Sequence, residues 1–217
     1  LGEEREVFFS PIGINEVWSN PIQQDKEIDR LFPKDGKLVV GYSGSMGKSN
    51  ALDPLMRAIK TLSAENSIRF VLVGDGDVKP KIKAEIGNLP NVIIGPRIQQ
   101  SQVPYFLSNC DVLYLSTHKS IIWRYGWSLN KILDYMMAGK PIIASYSGYP
   151  SMINEANCGV FVEPGDHEAI VDAILKFKDM SPEERAEIGI RGRNWAMKNR
   201  TYEVLARNYM KKIVSLF

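Results

Sequence analysis

Metal-ligating and nucleophilic side chains are scarce in this sequence, with two cysteines and two histidines in 217 residues. Cys110 and Cys158 stand far apart, each beside apolar sequence. That placement reads as buried free thiols in a reducing compartment and leaves a single disulfide open. His118 and His167 belong to no Cys/His/carboxylate cluster with metal-ligand spacing, so no protein-bound metal is expected, and no Ser–His–Asp arrangement can be read. No apolar run reaches the ~18 residues that cross a bilayer, and no signal peptide opens the chain. The first residue is Leu1 rather than Met, which fits a fragment of a longer protein. A net charge of +2 gives no basis for nucleic-acid binding, while the pI near 8.4 suits small anionic ligands. Internal repeats and low-complexity segments are missing too. With 44% hydrophobic and 24% charged residues, the composition excludes disorder and a coiled coil.

The pattern that is present changes period again and again. Residues 1–36 are polar, broken by Pro11, Gly13, Pro21 and Pro33, and read as a leading segment with one short helix near 23–31. Residues 37–217 then alternate. Short apolar runs at 37–44, 69–74, 91–95, 111–116, 141–145 and 160–163 suit buried strands. Helical spacing appears at 50–62, 77–87, 101–110, 128–139 and 149–159, and three helices at 166–178, 181–198 and 201–216 close the chain. The alternation predicts an α/β fold: a Rossmann-like, doubly wound, six-stranded parallel sheet with extra C-terminal helices. In such folds ligands sit beyond the C-terminal strand ends.

The loops that follow strands therefore matter most. "GYSGSMGKSNAL" leaves the first strand and opens a helix; Gly44 and Gly47 permit a tight turn and Lys48 adds charge, an arrangement suited to an anion or merely to a strand–helix turn. Its glycines run GxxGxxG rather than GxGxxG, and Asp75 falls late for a ribose acid, so a nicotinamide-dependent oxidoreductase fits poorly. The Asp75-x-Asp77 pair in "GDGD" reads as a turn before it reads as a cation site. Arg97 in "GPRIQQ" offers a fork of donors at a strand end. In the long connection "STHKSIIWRYGWSLNK", Trp123, Tyr125 and Trp127 could stack on a sugar or base, or plug a gap.

The most informative stretch is "SLNKILDYMMAGKPIIAS". Ser128 or Asn130 can cap a helix whose free amides face the crevice. Lys131 in the first turn opposes the helix dipole unless an anion lies near, and Asp134, one turn on, could accept from a pair of sugar hydroxyls. A plain Lys131–Asp134 surface pair is the competing reading.

Taken in order, these segments resemble the C-terminal, donor-binding domain of a GT-B glycosyltransferase of the retaining family-4 (group 1) kind. "FSPIGINEVW" is similar to "PNGVD", "GYSGSMGKSNALDPLMRAI" to "GRLxxxKGLDxLLxA", and "RFVLVGDGD" to "LxIVGDGP". "NVIIGPRIQQSQVPYFLSNCDVLYLS" resembles "VxFxGxVxxxEVPxYYxxADVxVxPS". "SLNKILDYMMAGKPIIAS" resembles "SPxKLxEYMAAGKPVIAS", the variant of amino-sugar transferases in surface-polysaccharide synthesis, and "GVFVEPGDHEAIVDAI" resembles "GxxVxPGDxEALAxAI".

The resemblance implies a nucleotide-sugar donor, with uridine diphosphate favoured, no cofactor, and an acceptor glycan or lipid-linked saccharide held by a missing N-terminal domain to which residues 1–36 lead. It assigns the diphosphate to Gly44, Ser45, Lys48, Asn50, Leu129, Asn130 and Lys131, the ribose to Asp134, and the base to Arg97 and Ile98. The sugar falls to Arg124, Gly126, Trp127 and Ser128. No catalytic residue is assigned. The chain departs from the pattern where the arginine of "GRL" is Ser45, the lysine of "KG" is Asn50, and the first acid of E-x7-E is Gly126. Lys48, Lys131 and Arg124 are the cations left to compensate. These departures also favour an alternative, a catalytically inactive nucleotide-binding or regulatory module. The implied location is the cytoplasm, at the inner face of the membrane if the missing half or the aromatics at 123–127 touch lipid.

Overall fold

A computed structural model describes residues 11–127 and 129–215. After a 3-10 turn at Glu16–Ser19 and the single-turn helix α1 (Lys26–Asp29), strands and helices alternate: β1 (Leu38–Ser43), α2 (Asp53–Thr61), β2 (Ile68–Val73), α3 (Lys79–Ile86), β3 (Val92–Ile94), α4 (Val103–Ser108) and β4 (Val112–Ser116). Then come α5 (Asn130–Met137), β5 (Ile142–Ser145), α6 (Met152–Ala156), β6 (Gly159–Val162) and three closing helices, α7 (His167–Asp179), α8 (Pro182–Asn199) and α9 (Tyr202–Val214). The six strands form one sheet, all pairs parallel, in the order β3-β2-β1-β4-β5-β6. The predicted α/β architecture is thus present, and the order reverses between β1 and β4, so the loops after these strands flank the switch point.

Both sheet faces are covered, which is why the strands read as unbroken apolar runs. Leu38, Val40 and Tyr42 of β1, with Ile68, Phe70 and Leu72 of β2, pack under α2, α3 and α7. The intervening Val39, Val71 and Val73 face the opposite cluster, with Phe106, Ile132, Tyr135 and Met136. Each fully buried side chain of this size contributes about 1.5–3 kcal/mol. Cys110 and Cys158 are buried and free, as one of the two sequence readings expected. A Cβ on Gly41 would fall 2.2 Å from the Cys110 sulfur, so glycine is what lets α4 close on β1.

The leading segment packs on the same body. Ile14 and Ile28 enter the core, Arg69 makes a two-pronged pair with Asp35 at 2.9 and 2.6 Å, and Tyr105 donates to Asp29 at 2.5 Å. Ile14 N–H donates to the Arg200 carbonyl at 2.8 Å, tying the segment to the α8–α9 junction. Among the described residues, no helix is long and apolar enough to cross a membrane.

Candidate functional site

The loop after β1 is folded by its own backbone. Gly44 takes φ +147, donates its N–H to the Val73 carbonyl at 3.1 Å, and approaches β2's loop so closely that a Cβ on Gly74 would fall 1.8 Å from the Gly44 oxygen. Met46 N–H donates to Asp75 and Asn50 N–H to Gly47. The sequence offered Gly44 as a diphosphate ligand through exposed amides; its own amide is committed to β2, and among the described residues the amides of Ser45 and Gly47 have no backbone acceptor. Side chains then staple the loop to its neighbours. Ser116 Oγ donates to the Asn50 carbonyl at 2.6 Å, and His118 Nε2 donates to the Lys48 carbonyl at 2.6 Å. Lys48 itself is exposed.

Across the crevice stands the start of α5. The expected cap by Ser128 or Asn130 is corrected in part: Asn130 is the first helical residue, extended Leu129 occupies the capping position, and no side chain there accepts a hydrogen bond. Ser128 lies outside the described residues. A leucine side chain has no acceptor to offer; Ile132 N–H donates to the Leu129 carbonyl at 3.0 Å, and among the described residues the amides of Asn130 and Lys131 stay open.

Lys131 joins the two segments. Its Nζ donates to Asn50 Oδ1 at 2.8 Å and to the Tyr42 hydroxyl at 3.3 Å, 4.8 Å from the centre of the Tyr42 ring. The Lys131–Asp134 surface pair considered from sequence is not formed among the described ion pairs. Instead the ammonium is half-enclosed with neutral partners, and burial lowers its pKa from 10.5 to about 8. A cation held under those conditions gains from an anion brought beside it. Tyr42 donates in turn to the Ser45 carbonyl at 2.5 Å, and Tyr135 is wedged against both Ser43 backbone groups at 3.1 and 3.3 Å.

Asp134 occupies a different wall. Its Oδ1 accepts from Trp18 Nε1 at 2.8 Å, and it lines a cavity of about 340 Å³ with Asn130, Asn15, Glu16 and Tyr202. Burial raises its pKa, and the indole N–H pulls it back. Arg97 and Ile98 line a second cavity of about 390 Å³ with Gly44, Ser45, Gly74 and Asp75. A third of about 500 Å³ includes Asn15, Glu16, Gln100 and Ser101.

The residues offered for the sugar fare less uniformly. Trp127 does not present an open ring: it is 7% exposed and stacks on Tyr146 at 4.0 Å with an 8° interplanar angle, so it plugs the gap under the loop. Arg124 is exposed on the 3-10 turn Ile121–Tyr125, and Gly126 follows at φ +112; neither lines the cavities above. Tyr42, Tyr135, Ser116 and Trp18 were not anticipated. The first three sit in apolar or strand-end positions that spacing does not mark. Trp18 is 116 positions from the acid it meets.

The family model described as glycosyl transferases group 1 matches residues 37–179. No curated protein matches. Among solved structures, S. aureus TarM, as a variant with UDP, α-GlcNAc-glycerol and Fondaparinux, shares 20% identity at TM-score 0.67, covering 88% of this chain and 37% of its own. The C-terminal domain of LpcC, a group 1 glycosyl transferase from Francisella tularensis, shares 20% identity at TM-score 0.66, over 88% of this chain and 100% of that one. Anabaena HepE, in complex with UDP and glucose, shares 16% identity at TM-score 0.67, over 89% and 53%. The chain therefore spans about half or less of the two longer proteins and the whole of the LpcC domain. A family model over most of the sequence, on a Rossmann-like sheet of the GT-B C-terminal type, places this chain in the group 1 glycosyl transferases.

Proposed function

We propose that this domain binds a nucleoside diphosphate sugar, with the diphosphate between residues 44–51 and the start of α5, as the donor half of a retaining glycosyltransferase. The observation that carries the reading is Lys131: a half-buried ammonium among neutral partners, beside uncapped helix amides, at the switch point of the sheet. Ser45, Lys48, Asn50, Leu129 and Asn130 complete the diphosphate end. Asp134 takes the ribose hydroxyls, and Arg97 and Ile98 flank the base. We assign the sugar to Arg124, Gly126 and Ser128. The chemistry is electrostatic: open amides and Lys131 stabilise charge that develops on the departing diphosphate. Support for a uridine diphosphate donor comes from HepE and TarM, both solved with UDP. The acceptor, a glycan or a lipid-linked saccharide, requires a further domain, in keeping with the share of those longer proteins that this chain spans. We place the whole protein in the cytoplasm and in polysaccharide synthesis, with no cofactor.

Calorimetric titration with uridine and guanosine diphosphates tests the reading. Binding of one of them, abolished or much weakened in Lys131→Met, supports it; failure of both to bind sinks it. We expect no glycosyl transfer by residues 1–217 alone. A second reading, a nucleotide-binding module without catalysis, draws on Ser45, Asn50 and Gly126 standing where the family pattern has Arg, Lys and an acid. Donor binding by the whole protein with neither hydrolysis nor transfer selects it.

A further inference from the structure

Trp18 and Asp134 are joined by a 2.8 Å hydrogen bond across 116 positions of sequence, and the bond lies in the wall of a cavity rather than within the core. Resting on the donor-site reading above, we propose that Trp18 is a positioning residue for ribose recognition: its indole N–H holds Oδ1 of Asp134 so that Oδ2 faces the pocket.

An aspartate has two side-chain torsions, and its terminal one is broad, so a lone carboxylate samples many orientations of its plane. One strong donor on one oxygen removes most of that freedom. The choice of donor matters. Indole offers a single N–H and no acceptor. A guanidinium here would grip both oxygens and neutralise the charge, whereas tryptophan leaves the second oxygen free and the carboxylate anionic. Among the described residues no other donor reaches Asp134. Hydroxyl recognition needs that anionic acceptor at neutral pH, and the N–H opposes the upward push of burial on the Asp134 carboxyl.

The turn that carries Trp18 is itself fixed. Ile14 is bound to the Arg200 carbonyl, Asn15 Oδ1 caps the turn by accepting from Val17 N–H at 3.1 Å, and the Trp18 ring packs on the core cluster. The indole therefore approaches Asp134 from a rigid base. The charged and titratable groups around the carboxylate are Tyr135 on its own helix, Glu16 from the leading segment and Tyr202 from α9.

The test is ribose discrimination by the whole chain. Uridine and guanosine diphosphates and their 2′-deoxy counterparts are titrated calorimetrically into wild type, Trp18→Phe and Asp134→Asn. Phenylalanine keeps an aromatic ring and loses the N–H. The ratio of ribo to 2′-deoxy affinity is unaffected by any fraction of unfolded protein, so it separates positioning from packing. We expect wild type to prefer the riboside by about ten-fold, the scale of one hydrogen bond to a charged group, and Trp18→Phe to cut the preference to about two-fold with little change in 2′-deoxy affinity. Asp134→Asn should remove most of it. A wild-type ratio in Trp18→Phe, alongside its loss in Asp134→Asn, overturns the role of Trp18 and leaves the donor site standing. Absence of diphosphate binding by wild type overturns both. Should Trp18→Phe fail to fold, the wild-type indole N–H resonance that Asp134→Asn displaces decides the matter. Displacement by the riboside diphosphate and not by its 2′-deoxy form supports the proposal; equal displacement by both overturns it.

Discussion

The two ends of the candidate cleft are built in different ways. The end we propose for the diphosphate is made by the sheet itself: β1, β2 and β4 place Gly44, Gly74 and Ser116 by strand register, and Lys131 completes it from α5. The end we propose for the ribose is borrowed. Asp134 stands on α5, but its partner and most of its cavity wall come from residues 12–18 and from Tyr202, held by the Ile14–Arg200 contact. One end is held by adjacent strands of the core. The other is only as well placed as a leading segment and a terminal helix that return to it. The contrast predicts that damage to the backbone of the first end costs stability and binding together, whereas damage to the second changes selectivity.

The strongest way to break this contrast is Gly74→Ala. Its Cβ would meet the Gly44 oxygen at 1.8 Å, at φ +149, and neither backbone can yield without disturbing β1 or β2. We expect a loss of about 3 kcal/mol or more, read as a fall in the thermal or denaturant midpoint, with diphosphate binding lost alongside. Lys131→Met comes next and separates the two quantities. Diphosphate affinity should fall about 10- to 100-fold, since a charge-assisted contact in a half-buried site is removed. Stability at pH 7 should hold or rise rather than fall, because the substitution removes an ammonium that burial penalises and that has no charged partner among the described residues.

The same lysine sharpens the comparison through pH. The unfolded chain keeps the Lys131 proton up to its ordinary 10.5, whereas the folded site releases it near 8. Between those values the unfolded state binds more protons, so this group's contribution to stability rises with pH. A bound diphosphate favours the ammonium, so nucleotide affinity should be highest below pH 8 and decline above it, and the decline should vanish in Lys131→Met. An affinity flat from pH 7 to 9 in wild type would remove Lys131 from the diphosphate contact.

The smallest effect belongs to the ribose end. In Gly13→Ala the added Cβ meets Tyr202 Cε1 at 2.9 Å, but that ring is 63% exposed and can swing away. Stability should change by under about 1 kcal/mol. The preference for ribose over 2′-deoxyribose should weaken slightly, with inorganic pyrophosphate binding unchanged; a loss of pyrophosphate binding would show that the two ends are not separable.

Much of the scaffold was legible in advance, and the reasons are local. β1 at Leu38–Ser43 and β4 at Val112–Ser116 could be read because strands covered on both faces are continuous apolar runs ended by glycine or polar residues. The closing helices were legible from their spacing, and the structure shows Ser181 and Thr201 capping α8 and α9. Site residues were legible only in part. Lys131 drew notice because a cation in a first helical turn conflicts with the dipole. Its partner Asn50 is 81 positions away, and nothing in either neighbourhood links them. Trp127 misled because an aromatic in a loop near a crevice has the same appearance in sequence whether it faces a ligand or Tyr146. Leu129 at a capping position could not be foreseen while Ser128 and Asn130 flanked it.

By itself the sequence determined which segments are strands and which are helices, and that the strands lie parallel with both faces covered. Those properties follow from periodicity and from the length a crossover needs, both of which are local. Only the tertiary structure decided the strand order, the bond from Lys131 to Asn50, and the pairing of Trp18 with Asp134. Each of these joins residues whose local sequences are indifferent to one another, and the approach of their backbones is fixed only once the sheet has closed and the last helices have packed.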